Sequence, residues 1–221
     1  MRIAALTDLH GKIINFKRIL IYKPDAIVVS GDITHFGKDL KIIDYLKYLK
    51  EKENVKVLTV PGNCDTEESI TKLNELNINI DEKCIEINNI KFIGIGGSNP
   101  TPFNTPNEYT EEELYNKFKN AIKGMKKEDL LNNFILVTHA PPKNTMADRV
   151  GGNHVGSASI RKIIEEYSPS LVICGHIHES KCIDKINNSY IVNPSQSSFL
   201  ISDIFDKDGK VWIKSIELID L

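Results

Sequence analysis

The chain has 221 residues, 41% of them hydrophobic and 26% charged, an ordinary globular composition that excludes a disordered chain, a collagen-like repeat and a disulfide scaffold. Its 28 basic and 30 acidic side chains leave a formal charge of −2, without the basic excess of a protein that lives on a nucleic-acid backbone. At about 150 residues per domain, the length favours one domain over residues 1–221.

In chain order, short apolar runs each stop at a polar cluster. A strand is predicted over residues 3–7, followed by Asp8-Leu9-His10-Gly11. Residues 12–22 set Ile13, Phe16, Ile19 and Leu20 at helical spacing. A second strand, 26–30, meets Gly31-Asp32-Ile33-Thr34-His35, and a helix over 39–52 turns Ile42, Ile43, Leu46 and Leu49 to one side. A third strand, 57–60, runs into Pro61-Gly62-Asn63-Cys64-Asp65. The long connection 96–109 carries Pro100, Pro102 and Pro106, and loops of that length in compact domains are usually functional or disordered. Thr110 and Glu113 fit a capping box that opens a helix to about residue 122. Strand 134–138 meets His139-Ala140-Pro141-Pro142; Ser157 caps a helix that Ser168-Pro169 ends; strand 171–174 meets Gly175-His176-Ile177-His178. Beyond residue 182 the pattern alternates around the turns Asn187-Asn188 and Asp208-Gly209, which predicts antiparallel strands. The fold class is α/β with a mixed or double sheet.

The four cysteines, Cys64, Cys84, Cys174 and Cys182, form no C-x-x-C pair, so neither a zinc knuckle nor a thioredoxin-type pair is expected. The apolar start is short and runs straight into Asp8, unlike a signal peptide, and no apolar run nears the roughly 18 residues of a membrane span. The expectation is a cytoplasmic protein with free thiols and no membrane partner.

All six histidines lie in or near strand-end clusters or a glycine-rich loop, and none sits in the lysine-rich helices. Ligands of open α/β sheets bind beyond the carboxyl ends of strands, so the clusters can converge. Asp8 and His10, like His176 and His178, are two residues apart, which at strand spacing puts each pair on one side. Asp32 adds a carboxylate, Asn63 an amide oxygen and His139 an imidazole. Mixed nitrogen and oxygen donors suit Mn²⁺, Fe or Zn²⁺ better than Ca²⁺. Seven donors exceed one tetrahedral zinc but match two ions that share a carboxylate, about 3.5–4 Å apart, a pair able to clamp a phosphoryl group.

The ordered set Asp8-Leu9-His10, Gly31-Asp32, Gly62-Asn63, the strand-end His139 and Gly175-His176-Ile177-His178 resembles the calcineurin-like metallophosphoesterase family. The resemblance implies a four-layer αββα sandwich of two mixed sheets flanked by helices. It also implies two divalent ions, with Mn²⁺ favoured over Fe or Zn²⁺. One would be held by Asp8, His10, Asp32 and His178, the other by Asp32, Asn63, His139 and His176, with Asp32 bridging. The implied activity is hydrolysis of a small phosphoester by a hydroxide bridging the ions.

The third motif departs from the family. Many members carry G-N-H-[DE], whose histidine is a catalytic acid; here the sequence is Gly62-Asn63-Cys64-Asp65. Cys64 can serve as the acid or as buried filler, and Asp65 loses the partner it has in the family. His154, in the glycine-rich segment 148–157, is the natural replacement; Arg149 near it suits a phosphate oxygen pair, and Asn63, Arg149 and His154 are the expected substrate contacts. His35 reads as a supporting or surface residue, and Asn193-Pro194-Ser195 as a structural turn. Relatives lacking the motif histidine are often phosphodiesterases, which puts diesters ahead of monoesters. The rival expectation is a catalytically weak scaffold or interaction module that keeps the fold; the complete donor set argues against it. A DNA-repair nuclease is disfavoured by Cys64, by the neutral charge and by the absence of an added DNA-binding domain.

Overall fold

Valine- and isoleucine-rich runs bounded by glycine, proline and asparagine build the strands, and the computed structural model describes residues 1–53 and 55–221. Strands β1 (Arg2–Leu6), β2 (Ala26–Ser30) and β3 (Lys56–Val60) pair in parallel. The tail strands β12 (Ser198–Lys207) and β13 (Lys210–Asp220) add antiparallel to β1, giving a sheet of order β13-β12-β1-β2-β3. In the second sheet β5 (Ile90–Ile95), β6 (Phe134–Thr138), β9 (Leu171–Ile173) and β11 (Ser189–Asn193) run parallel. β4 (Cys84–Ile87) and β10 (Cys182–Ile186) are its antiparallel edges. A two-residue ribbon, β7 (Arg149–Val150) and β8 (Asn153–His154), stands apart.

Three apolar layers define the architecture. Between the sheets, Ile3, Ala5, Val28 and Leu200 meet Phe92, Ile135, Val137 and Ile173, all buried. Outside the first sheet, Ile19 of α1 (Lys17–Leu20), Ile42, Ile43, Leu46 and Leu49 of α2 (Lys41–Lys52) and Leu73 of α3 (Glu67–Glu75) cover Ala4, Leu6, Ile27 and Val29. Outside the second, Leu114 and Phe118 of α4 (Glu111–Ala121) and Ile160, Ile163 and Ile164 of α5 (Ala158–Tyr167) cover Ile93, Ile95, Leu136 and Val172. This is the expected αββα sandwich. Strands buried on both faces read as continuous apolar runs because helices cover the outside of each sheet.

Several expectations change in detail. The helix expected over 12–22 shrinks to the single turn α1: Phe16 and Ile19 are buried, but Ile13 is 51% exposed, so only the later part of the period faces the core. The Thr110–Glu113 capping box and the Ser157 cap both form, the latter with Ser157 Oγ accepting from the Ile160 N–H. The antiparallel tail divides between the sheets, and β11 pairs in parallel with β9, which an alternating pattern does not reveal. The β4–β5 hairpin and α3 are additions to the predicted set. All four cysteines are unpaired, and among the described residues no helix is long and apolar enough to cross a membrane.

Candidate metal centre

The carboxyl ends of β1, β2, β3, β6 and β9 meet at one rim, and the polar clusters converge there. The loops after β1 and β2 run side by side: the N–H of Asp8 donates to Gly31 O (3.0 Å), and that of His10 to Asp32 O (2.8 Å). Asp8, His10, Asp32 and His176 lie past the strand ends with φ of 55°, 46°, 48° and 70°. Convergence therefore comes from tight left-handed turns and not from the i, i+2 alternation of a continuing strand. Such φ values in non-glycine residues cost about 1–3 kcal/mol each and persist where surrounding structure enforces them.

The enforcement is visible. Asp65, fully buried, accepts from the N–H groups of Ile33 (3.1 Å), Thr34 (2.8 Å) and Gly62 (2.8 Å) and from Thr34 Oγ1 (2.8 Å). Asp65 thus pins the Asp32 loop to the Asn63 loop. Burial, with Asp32 nearby, raises its pKa to about 6. A Cβ on Gly62 would stand 2.1 Å from both Asp32 N and Asp32 Oδ1, and one on Gly175 would stand 1.7 Å from Thr7 Oγ1. The glycine that precedes Asn63, and the one that precedes His176, are therefore required by close approach of neighbouring loops. Asn193 Nδ2 donates to Ile177 O (3.0 Å) and Ser195 Oγ to His178 O (2.5 Å), so the Asn193-Pro194-Ser195 turn braces the histidine loop. Asp65→Ala strands four donors; at about 1–3 kcal/mol for each unsatisfied buried group, the loss should exceed about 3 kcal/mol. The midpoint of denaturant unfolding checks this.

The donors come together as two linked groups. In the first, His178 Nε2 lies 3.3 Å from Asp8 Oδ1 and 3.3 Å from His10 Nε2, and His10 Nε2 lies 3.7 Å from Asp32 Oδ2. In the second, His139 Nε2 lies 2.8 Å from Asn63 Oδ1 and 3.4 Å from Asp32 Oδ1. His176 packs its ring 5.0 Å from that of His139, and its N–H donates to Asp8 Oδ2 (3.1 Å). Ligand atoms about 2.0–2.1 Å from one ion lie roughly 2.9–3.4 Å from one another, and the separations in the two groups, from 2.8 to 3.7 Å, bracket that range.

Proton accounting shows that the second group fits a cation. His139 Nδ1 lies 2.9 Å from Ser30 O, a carbonyl that only accepts, so Nδ1 carries the hydrogen. In the neutral ring Nε2 then presents a lone pair to two further acceptors, Asn63 Oδ1 and Asp32 Oδ1. The first group leaves Asp8 Oδ1 and His10 Nδ1 buried without a hydrogen bond. Burial lowers the pKa of His10, and burial beside His139 lowers that of His176 to about 4, which keeps both rings neutral as metal binding requires. The neighbouring Asp8 raises that of His178; burial acts to raise Asp8 itself, but the imidazoles of His178 and His139 overcome it and leave it lowered.

Of the remaining candidates, Cys64 and His35 adjoin this centre, whereas the contacts of His154 and Arg149 are to Asp148 and Ser180. The Cys64 N–H donates to Asp32 Oδ1 (2.8 Å), and its thiol sits within 4.8 Å of donor atoms of His10 and Asp32. Burial, with Asp32 adjoining, pushes that thiol's pKa far up. His154, at the end of β8, donates from Nδ1 to Asp148 Oδ1 (2.6 Å), and Asp148 is completely buried. The exposed Arg149 is tied through its backbone to Ser180, two residues past His178. His35, exposed, sets its ring 5.5 Å from that of His10. Sequence reasoning passed over Gln196, whose Nε2 lies 3.1 Å from His178 Nδ1, and Thr105, whose Oγ1 accepts from Asn63 Nδ2 (2.9 Å). Neither lies in one of the strand-end motifs, and only the folded loops bring them in. A groove of about 460 Å³ lined by Tyr190, Lys210 and Trp212 contains none of the seven donors.

The sequence profile of the calcineurin-like phosphoesterases matches residues 1–180. MJ1162 of Methanocaldococcus jannaschii is 54% identical over 208 residues, 92% of each chain. The UPF0046 protein K07C11.7 of Caenorhabditis elegans is 20% identical over 219 residues, covering 89% of this chain and 70% of that one. Among solved structures, TT1561 of Thermus thermophilus has a TM-score of 0.70 at 16% identity, over 96% of this chain and 97% of its own. The calcineurin-like phosphoesterase YfkN from Bacillus subtilis has a TM-score of 0.58 at 12% identity, over 99% and 89%. These structures speak for the fold. The profile match, running through every donor cluster, speaks for more: the chain belongs to the calcineurin-like phosphoesterases.

Proposed function

We propose that this protein, as a single domain, hydrolyses small phosphoesters at a two-ion centre, diesters ahead of monoesters. Asp8, His10, Asp32 and His178 hold one ion; Asp32, Asn63, His139 and His176 hold the other. The observation that carries the reading is the convergence of His139 Nε2 on Asn63 Oδ1 at 2.8 Å and Asp32 Oδ1 at 3.4 Å while the other ring nitrogen is committed to Ser30 O. Mn²⁺ is the favoured metal, since the donors mix imidazole nitrogen with carboxylate and amide oxygen. When bound, such a pair supplies Lewis acidity toward phosphoryl oxygens and lowers the pKa of a water.

The chain's own residues do the rest. Asp32 spans both donor groups and fixes their separation. Arg149 and Asn63 contact the phosphoryl oxygens. His154 has Nδ1 committed to Asp148, which leaves Nε2 as the nitrogen for substrate or for proton transfer. Cys64 is the second candidate donor; its raised pKa keeps the thiol protonated but makes it a weak acid. The diester preference rests on this missing histidine, and a cytoplasmic location on the four free thiols.

The test is activity against phosphomonoesters, aryl diesters and cyclic nucleotides in Mn²⁺. Chelation should abolish turnover, Mn²⁺ should restore it, and aryl diesters should give the higher kcat/KM. Higher kcat/KM on monoesters would overturn the diester preference, and full activity in chelator would overturn the two-ion centre.

A further inference from the structure

We propose that Glu108, acting through Thr105, is a positioning residue that fixes which end of the Asn63 amide faces the ion shared with His139. The inference rests on the two-ion reading and concerns a segment, 96–109, with no role so far.

The segment is wound around one carboxylate. Glu108 accepts from Thr101 N (3.1 Å), Thr101 Oγ1 (2.6 Å), Thr105 N (2.8 Å) and Thr105 Oγ1 (2.5 Å). The wound loop is fastened to the third motif by its backbone and by one side chain. The Asn107 N–H donates to Asn63 O (3.0 Å), and Asn107 Nδ2 donates to Gly62 O (2.9 Å).

Donor accounting then sets the amide. A carboxylate only accepts, so the single Thr105 hydroxyl hydrogen goes to Glu108. Thr105 Oγ1 is left to accept, and it lies 2.9 Å from Asn63 Nδ2. The amide NH₂ must therefore face Thr105, which turns Oδ1 toward His139 Nε2 at 2.8 Å. Reversal would aim an NH₂ at the ion. The thiol of Cys64 adds a weak contact at 3.6 Å to the same Nδ2, so Thr105 is its one strong acceptor among the described residues. Burial acts against ionisation of Glu108, but the hydrogen bonds from Thr101 and Thr105 lower its pKa to about 2, so the acceptor state persists through the neutral range.

Outer partners of metal ligands typically govern affinity by roughly 10–100-fold. In Mn²⁺ titrations of the full chain by equilibrium dialysis with elemental analysis, the wild type should bind two ions. Thr105→Val should weaken one ion by roughly 10–100-fold and leave the other within about 2-fold. Thr105→Ser, which keeps the hydroxyl, should restore two ions, and Glu108→Gln should weaken the same ion as Thr105→Val. Two ions bound with wild-type affinity in Thr105→Val would overturn the positioning role while leaving the two-ion centre standing. So would equal loss of both ions, or failure of the serine variant to restore binding. A wild type that binds fewer than two ions would overturn both readings.

Discussion

Asp32→Asn should weaken both metal ions together, each by more than roughly 100-fold, since even outer partners of ligands are worth 10–100-fold. Asp32 is buried, with Oδ1 3.4 Å from His139 Nε2 and Oδ2 3.7 Å from His10 Nε2, so one carboxylate serves both donor groups. The Cys64 N–H donates to Oδ1, which therefore stays an acceptor in the variant. The amide NH₂ is left at the Oδ2 position, aimed at His10 and unable to bind a cation. At Oδ1 a neutral carbonyl replaces a shared anion. Turnover should fall with occupancy, while the metal-free protein keeps its fold, because the change removes a charge from beside the buried Asp8 and Asp65. His10→Ala, by contrast, should empty mainly one position. Elemental analysis after dialysis reads the result directly, and full two-ion stoichiometry in Asp32→Asn would refute a bridging role.

Why the centre is legible in sequence while its surroundings are not follows from the same loops. Each ligand cluster begins where an apolar strand run stops, and the helix-covered sheets make those runs conspicuous. The motif glycines are readable as letters, although what requires them is distant: a side chain at Gly62 or Gly175 would overlap Asp32 or Thr7. The left-handed turns at Asp8, His10, Asp32 and His176 leave no such mark in the sequence. They are imposed by contacts across the rim, such as the Asp65 clamp on Thr34 and Gly62, between residues about 30 positions apart. The i, i+2 spacing therefore pointed to the correct neighbours through an incorrect geometry. Helix α3 is hard to see for a different reason: the buried residues it contributes are Ser69 and Leu73 alone, too few to mark a period. The β4–β5 hairpin carries its own signal in Asn88 and Asn89, both at positive φ, a turn type that favours asparagine. Thr105 and Glu108 show the limit most sharply, for nothing in a proline-rich connection announces that its carboxylate faces inward.

On the proposed reading, His154 delivers the proton to the leaving group. His154→Ala should leave both ions bound, cleave a nitrophenyl ester nearly as well as the wild type, and lose far more on an alkyl ester. The argument is energetic. A nitrophenolate departs without help, whereas an alkoxide needs a proton, and a positioned general acid contributes roughly 10²–10⁴-fold. His154 is suited to the task because the fully buried Asp148 accepts from its Nδ1 at 2.6 Å, which fixes the tautomer and the ring plane. Asp148 is itself held by the N–H groups of Asn144, Thr145 and Gly156, so the imidazole is braced from a rigid base although it sits on a two-residue strand. Cys64→Ser provides the comparison. The Cys64 thiol lies among the metal donors, but burial and Asp32 push its pKa far up, so its removal should cost little and should not depend on the leaving group. Rates plotted against leaving-group pKa separate the candidates, since only the residue that donates steepens the slope when it is removed. An equal loss on both esters in His154→Ala would make that side chain a phosphate contact. A steeper slope in Cys64→Ser would transfer the role to the thiol.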